Sequence, residues 1–129
     1  MNAMKVLLVD DEKEFLELLT MRLTKRNIEV RSASSGEEAL AALSEGGFDV
    51  VVLDVRMPGM DGIETLSRMK ALAPDVEVIM LTGHANTEVA ERGMEMGSFD
   101  YLIKPVSINE LLIKLQDACR KKRLMAKEL

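Results

Sequence analysis

The chain has 129 residues, 47% hydrophobic and 30% charged, which fits one globular domain with enough interior to fold without disulfide or metal staples. Its 17 basic and 22 acidic residues leave a formal net charge of −5, which disfavours non-specific binding of nucleic acid or an anionic membrane. Cys119 is the only cysteine, so an intrachain disulfide is excluded and a reducing cytoplasmic compartment is expected. The start, Met1-Asn2-Ala3-Met4-Lys5, leads into an apolar run too short for a signal sequence or a membrane span.

The first predicted element, Val6-Leu7-Leu8-Val9, is a branched apolar run without alternation, as expected of a strand buried on both faces of a sheet. A helix follows, with Phe15, Leu18, Leu19 and Leu23 expected on one apolar stripe. Ile28-Glu29-Val30-Arg31 alternates apolar with charged and reads as an edge strand. Ser35 with Glu38 is a capping-box pair that starts a second helix carrying Ala39, Leu40 and Leu43. Val50-Val51-Val52-Leu53 and Val78-Ile79-Met80-Leu81 read as further central strands. Asp61 with Glu64 and Ser107 with Glu110 start the helices carrying Ile63 and Leu66, and Leu111, Leu112 and Leu115. A further helix is expected from about Thr87 to near Gly97, ahead of a short last strand, Tyr101-Leu102-Ile103.

Strict alternation of strands and helices predicts a three-layer, doubly wound (βα)5 α/β domain whose parallel strands are joined by right-handed crossovers. Placing the two less apolar strands at the edges gives the order 2-1-3-4-5, with the reversal between strands 1 and 3, where open α/β sheets bind ligands. Residues 1–129 are therefore expected to be a single domain, with the tail from about residue 120 a helical extension or the start of a linker. The basic run Arg120-Lys121-Lys122-Arg123 suits the C-terminal end of a helix dipole, a reading preferred over DNA binding. The ten methionines are read chiefly as padding of core and loops.

The strand ends carry the chemistry. Asp10 and Asp11 follow strand 1 and Asp54 ends strand 3, so the predicted order brings three carboxylates to one crevice. Two carboxylates about 4 Å apart repel by roughly 4 kcal/mol at an effective dielectric near 20, so such a cluster calls for a cation. With oxygen donors and no His or Cys cluster, Mg²⁺ fits best. Lys104 ends strand 5 and Thr82 ends strand 4 before Gly83, positions from which an ammonium and a hydroxyl can meet phosphoryl oxygens. Each residue alone has an ordinary explanation: acids at a helix start, a turn aspartate, a surface lysine, a strand-end threonine. The conjunction points to Mg²⁺-assisted phosphoryl transfer.

These residues resemble the receiver domains of two-component response regulators, over nearly the whole chain. The resemblance rests on Leu8-Val9-Asp10-Asp11-Glu12, Leu53-Asp54-Val55-Arg56-Met57-Pro58-Gly59-Met60-Asp61-Gly62, Leu81-Thr82-Gly83-His84-Ala85 and Asp100-Tyr101-Leu102-Ile103-Lys104-Pro105, in that order. It implies that Asp54 accepts a phosphoryl group from a sensor histidine kinase or phosphotransfer protein. Asp11 and Asp54 would ligate Mg²⁺ directly, with the Arg56 backbone carbonyl completing the protein ligands and Asp10 acting through water. Lys104 and Thr82 would bind phosphoryl oxygens. Thr82 and Tyr101 would form the switch that reshapes the face of helix 4, strand 5 and helix 5, and Arg56 and His84 would tune phosphoryl lifetime. The resemblance makes Lys104-Pro105 a candidate cis peptide, but its isomer is left open, since only about 5–6% of X-Pro bonds generally are cis.

The expected protein is thus a cytoplasmic switch rather than a turnover enzyme, read by a downstream protein or a C-terminal effector module, with no direct nucleic-acid or membrane contact. Homodimerisation on phosphorylation is left open. One rival is a Mg²⁺-dependent phosphatase of the haloacid dehalogenase type, but Glu12 rather than Asp stands two positions after Asp10, and no insertion is long enough for a cap. A second rival is a phosphorylation-independent interaction module. Nucleotide hydrolysis has neither G-x-x-x-x-G-K-[ST] nor G-x-G-x-x-G to support it.

Overall fold

A computed structural model describes residues 3–57, 59, 61–83 and 87–127. The elements run β1 (Lys5–Val9), α1 (Lys13–Thr24), β2 (Glu29–Ala33), α2 (Gly36–Ser44), β3 (Val50–Asp54), α3 (Gly62–Leu72), β4 (Glu77–Thr82), α4 (Thr87–Glu95), β5 (Asp100–Ile103) and α5 (Ile108–Lys127). The five strands are parallel in the order β2-β1-β3-β4-β5, as expected from the sequence. β1, β3 and β4 are the central strands, and their unbroken apolar runs follow from having helices on both faces.

Alternation along the strands divides the core in two. Leu7, Val9, Val51, Leu53, Val78 and Met80 face the layer that contains Ala39 and Leu43 of α2, Leu66 and Met69 of α3, and Val89 of α4. Val6, Leu8, Val50, Val52, Ile79 and Leu81 face Leu16, Leu19 and Leu23 of α1 and Leu111, Leu115 and Ala118 of α5. Two glycines permit the closest approaches. A Cβ at Gly93 would lie 2.2 Å from the Met80 side chain beneath α4, and one at Gly62 would lie 2.6 Å from Val55 Cα. The second contact holds the start of α3 against the chain just beyond Asp54.

The start signals are realised in part. Ser35 Oγ accepts the Glu38 N–H at 3.1 Å, but the Glu38 carboxylate accepts from the Ser34 hydroxyl at 2.9 Å, so this box closes on a different serine. Asp61 Oδ1 accepts the Ile63 N–H at 3.2 Å, and Ser107 Oγ the Glu110 N–H at 3.4 Å. Two expectations need correction. Leu18 is 45% exposed, because the buried stripe of α1 is Leu16, Leu19 and Leu23, and Leu18 lies about 200° round from Leu16 at 100° per residue. β2 begins at Glu29 and continues to Ala33, with Ile28 buried just ahead of it.

The basic tail continues α5 without a break to Lys127. Its charges do more than complement the helix end: Lys121 pairs with Glu77 at 3.3 Å, and Lys122 and Arg123 pair with Asp49 at 3.7 and 3.3 Å. Among the methionines, Met57, Met69 and Met80 lie in the core, whereas Met94 and Met96 are exposed at the end of α4.

Candidate functional site at the carboxyl edge

β1 and β3 are neighbours in register, Val9 opposite Leu53, so Asp10 and Asp54 leave the sheet side by side. Both are nearly fully buried, at 1% and 4% exposure. Asp10 stays at the sheet because its N–H donates to the Ala33 carbonyl of β2 at 3.1 Å. Its Oδ1 accepts the Glu12 N–H at 2.9 Å and its Oδ2 accepts from Lys104 Nζ at 2.8 Å. Asp54 Oδ1 accepts the Arg56 N–H at 3.0 Å, while Oδ2 lies 3.5 Å from Lys104 Nζ.

Lys104 arrives from β5, one residue past its end, held by its own N–H to the Thr82 carbonyl at 2.8 Å. The peptide from Lys104 to Pro105, whose isomer the sequence leaves open, is cis. Nζ also contacts Glu12 Oε1 at 3.4 Å and stands 4.7 Å from the centre of the Phe15 ring. One ammonium thus contacts three carboxylates drawn from two neighbouring strand ends.

The electrostatics follow from this crowding. Burial pushes the Asp54 carboxyl above its usual range, aided by the nearby Asp10 charge, and outweighs the Arg56 N–H and the Lys104 ammonium, which act in the opposite sense. For Lys104 burial works against the charge, but the hydrogen bond to Asp10 and the attraction of Asp54, Asp10 and Glu12 together raise its pKa.

Other anticipated residues fall around this cluster. Thr82 is 2% exposed at the end of β4, one residue beyond Leu81, the register partner of Asp54. Arg56 is exposed, and its backbone N–H is the group that holds Asp54. Tyr101 lies on edge strand β5 with 38% exposure. Asp11 is exposed and stands outside the carboxylate group of Asp10, Glu12 and Asp54. His84 lies outside the described residues.

Glu12 is not among the residues anticipated for the site, yet its carboxylate belongs to the cluster. A signal was available: two residues beyond Asp10, the Asp-Asp-Glu run offers a third acid on the turn that a strand-end Asx bond folds back over the sheet. The oxygens of Asp10, Glu12 and Asp54 lie within 4.8 Å of one another. Opposite ligands of Mg²⁺ stand about 4.2 Å apart at metal–oxygen distances of about 2.1 Å, so this group can meet one ion directly or through water. The all-oxygen donor set suits a hard cation and lacks the nitrogen or sulfur that would favour zinc.

The sequence profile described as the response regulator receiver domain matches residues 6–116. The chain is 34% identical over 123 residues to the C4-dicarboxylate transport transcriptional regulatory protein DctD of Rhizobium meliloti, covering 95% of this chain and 27% of that protein. It is 39% identical over 113 residues to the transcriptional regulatory protein ZraR of Escherichia coli K12, covering 88% and 26% respectively. The chain thus spans about a quarter of the length of these relatives. A crystal structure of a response regulator receiver domain protein from Clostridium thermocellum superposes with a TM-score of 0.91 at 36% identity, covering 95% of this chain and 98% of the other.

Proposed function

Because the chain belongs to the response regulator receiver domains, signalling switches of two-component systems rather than turnover enzymes, we propose that its phospho-acceptor is Asp54. The donor is a phosphohistidine on a sensor histidine kinase or phosphotransfer protein. The observation that carries this reading is the Lys104 ammonium in contact with Asp10, Glu12 and Asp54, a cation held at the oxygen that is to react.

The residues divide the work. The Arg56 N–H fixes Asp54 Oδ1 and leaves Oδ2, the oxygen facing Lys104, as the attacking atom. A bond forms from Oδ2 to phosphorus as the bond from phosphorus to the donor breaks, and the donor leaves with that electron pair. Lys104 and the Thr82 hydroxyl then neutralise and hydrogen-bond the phosphoryl oxygens. Asp54 and Asp11, the Arg56 carbonyl and, through water, Asp10 would hold Mg²⁺, which would supply the positive charge that lets an anionic donor approach an anionic pocket. Thr82 and Tyr101 carry the change to the face of α4, β5 and α5, while Arg56 and His84 tune the lifetime of the acyl phosphate.

The receiver unit spans 1–129, and its α5 extension leads to a downstream partner or a C-terminal effector module, a reading supported by the greater length of DctD and ZraR. No helix among the described residues is long and apolar enough to cross a membrane, and the proposed kinase encounter is cytoplasmic. Neither the phosphatase nor the non-switching module has an observation of its own in its favour. The test is incubation with Mg²⁺ and acetyl phosphate followed by intact mass spectrometry. One added phosphoryl group, lost in Asp54→Ala, is expected; modification that persists in Asp54→Ala rejects the assignment.

A further inference from the structure

We propose that Glu12 is a positioning residue for Lys104, holding the ammonium on the β1 side of the crevice and so restraining phosphoryl uptake; the proposal rests on Asp54 being the acceptor. Glu12 is the N-cap residue of α1, with extended backbone at φ −87° and ψ 102°, yet its side chain makes no capping bond. A carboxylate near a helix N-terminus is favoured by the free N–H groups of the first turn. Here the Glu12 carboxylate reaches across to Lys104 Nζ at 3.4 Å instead.

Three groups in the short stretch from Asp10 to Phe15 converge on that ammonium. Asp10 binds it at 2.8 Å, Glu12 at 3.4 Å, and the Phe15 ring presents its π system at 4.7 Å. Asp54 is the most distant of the three carboxylates, at 3.5 Å. Asp10 is buried and tied down at both oxygens, whereas the Glu12 side chain is 67% exposed and bound here only to Lys104 among the described contacts. Glu12 is therefore the removable tether. When a phosphoryl group forms on Asp54 Oδ2, Lys104 has to turn its hydrogen-bonding protons toward the new oxygens, and the attraction to Glu12 opposes that turn.

Loss of the tether is expected to speed phosphorylation. Glu12→Gln removes the charge, and Glu12→Asp keeps the charge but shortens the side chain by one methylene, so that it falls short of Nζ. Both are expected to accelerate phosphoryl uptake about two- to fivefold, the worth of a partly exposed ion pair. The acceleration should be alike for acetyl phosphate and for the less negatively charged phosphoramidate. A second readout needs no phosphoryl donor: the side-chain ammonium signal of Lys104, followed by nuclear magnetic resonance, is expected to shift in both variants.

An acceleration confined to Glu12→Gln and larger for acetyl phosphate would mean that Glu12 merely repels the donor, and the proposal falls. An unmoved Lys104 signal in both variants also overturns it. If no form of the protein takes up a phosphoryl group, the assignment of Asp54 fails instead, and the Lys104 signal still decides whether Glu12 holds the ammonium.

Discussion

At the carboxyl edge of the sheet one ammonium, that of Lys104, contacts the carboxylates of Asp10, Glu12 and Asp54, whereas at the amino edge Asp49 and Glu77 meet Lys121, Lys122 and Arg123. Asp49 also accepts the Lys5 N–H at 3.0 Å, and Arg123 reaches the Ala3 carbonyl at 3.3 Å. Charge is compensated at one edge and left in deficit at the other. A cavity of about 1020 Å³ opens at the compensated edge, beside Asp49, Cys119 and Lys122, so concavity does not mark the proposed phosphoryl site. Unbalanced buried charge marks it better, because a deficit of cations can be filled by a metal ion and a phosphoryl group can be gained only where something neutralises it.

The sharpest way to break this comparison is to remove the cation from the deficient edge. Lys104→Met leaves Asp10 and Asp54 buried without their ammonium and is expected to cost about 3 kcal/mol of stability, measured by urea unfolding. Lys122→Met at the other edge leaves Asp49 its Lys5 and Arg123 partners and should cost under about 0.5 kcal/mol. Equal losses would show that the two edges are not electrostatically different. Removing the acid at the compensated edge comes next. Asp49→Ala strips Arg123 and the Lys5 N–H of a shared acceptor and is expected to cost about 2 kcal/mol. It should also speed amide hydrogen exchange in the last turns of α5 while leaving acetyl phosphate uptake unchanged.

Most of the carboxyl edge was legible because strand order alone carries it. Once Val6–Val9, Val50–Leu53 and Val78–Leu81 are read as central strands, Asp10, Asp54 and Thr82 stand in a row, and Lys104 follows from the edge strand beside them. Glu12 was harder to see, since its place depends on a single Asx bond from its N–H to Asp10, and local pattern cannot choose between a helix cap and a bridge to a residue 92 positions away. The amino edge was not legible for the same reason. Arg120-Lys121-Lys122-Arg123 reads as a helix end, and only the path of α5 across the sheet brings Arg123 to Asp49, 74 positions away. Leu18 shows the limit of periodicity: the helix pattern was right, but which stripe is buried depends on how α1 lies on the sheet.

Adding a cation tests the deficit from the other side. Mg²⁺ at ten times its dissociation constant is expected to stabilise the protein by about 1.4 kcal/mol, seen as a higher thermal midpoint. The gain should be lost in Asp54→Ala and retained in Asp49→Ala. The same gain in all three proteins would place the ion elsewhere.

The smallest effect is the most diagnostic of sign. Because burial, with help from Asp10, raises the Asp54 pKa above its ordinary value of 3.8, the folded protein binds this proton more tightly than the unfolded chain. Between the two pKa values the native state holds more protons, so the contribution of Asp54 to stability falls as pH rises through that window, and above the folded pKa the ionised group carries its full cost. Asp54→Asn keeps the shape and removes the charge, and is expected to raise stability by about 1 kcal/mol at neutral pH. The gain should shrink as pH falls through the folded pKa and vanish below 3.8, where the acid is protonated in both states. Denaturant unfolding of the two proteins from neutral pH downward measures it. A gain that grows on acidification would mean that Lys104 stabilises the Asp54 carboxylate more than burial and Asp10 oppose it, and the carboxyl edge would then be as well compensated as the amino edge.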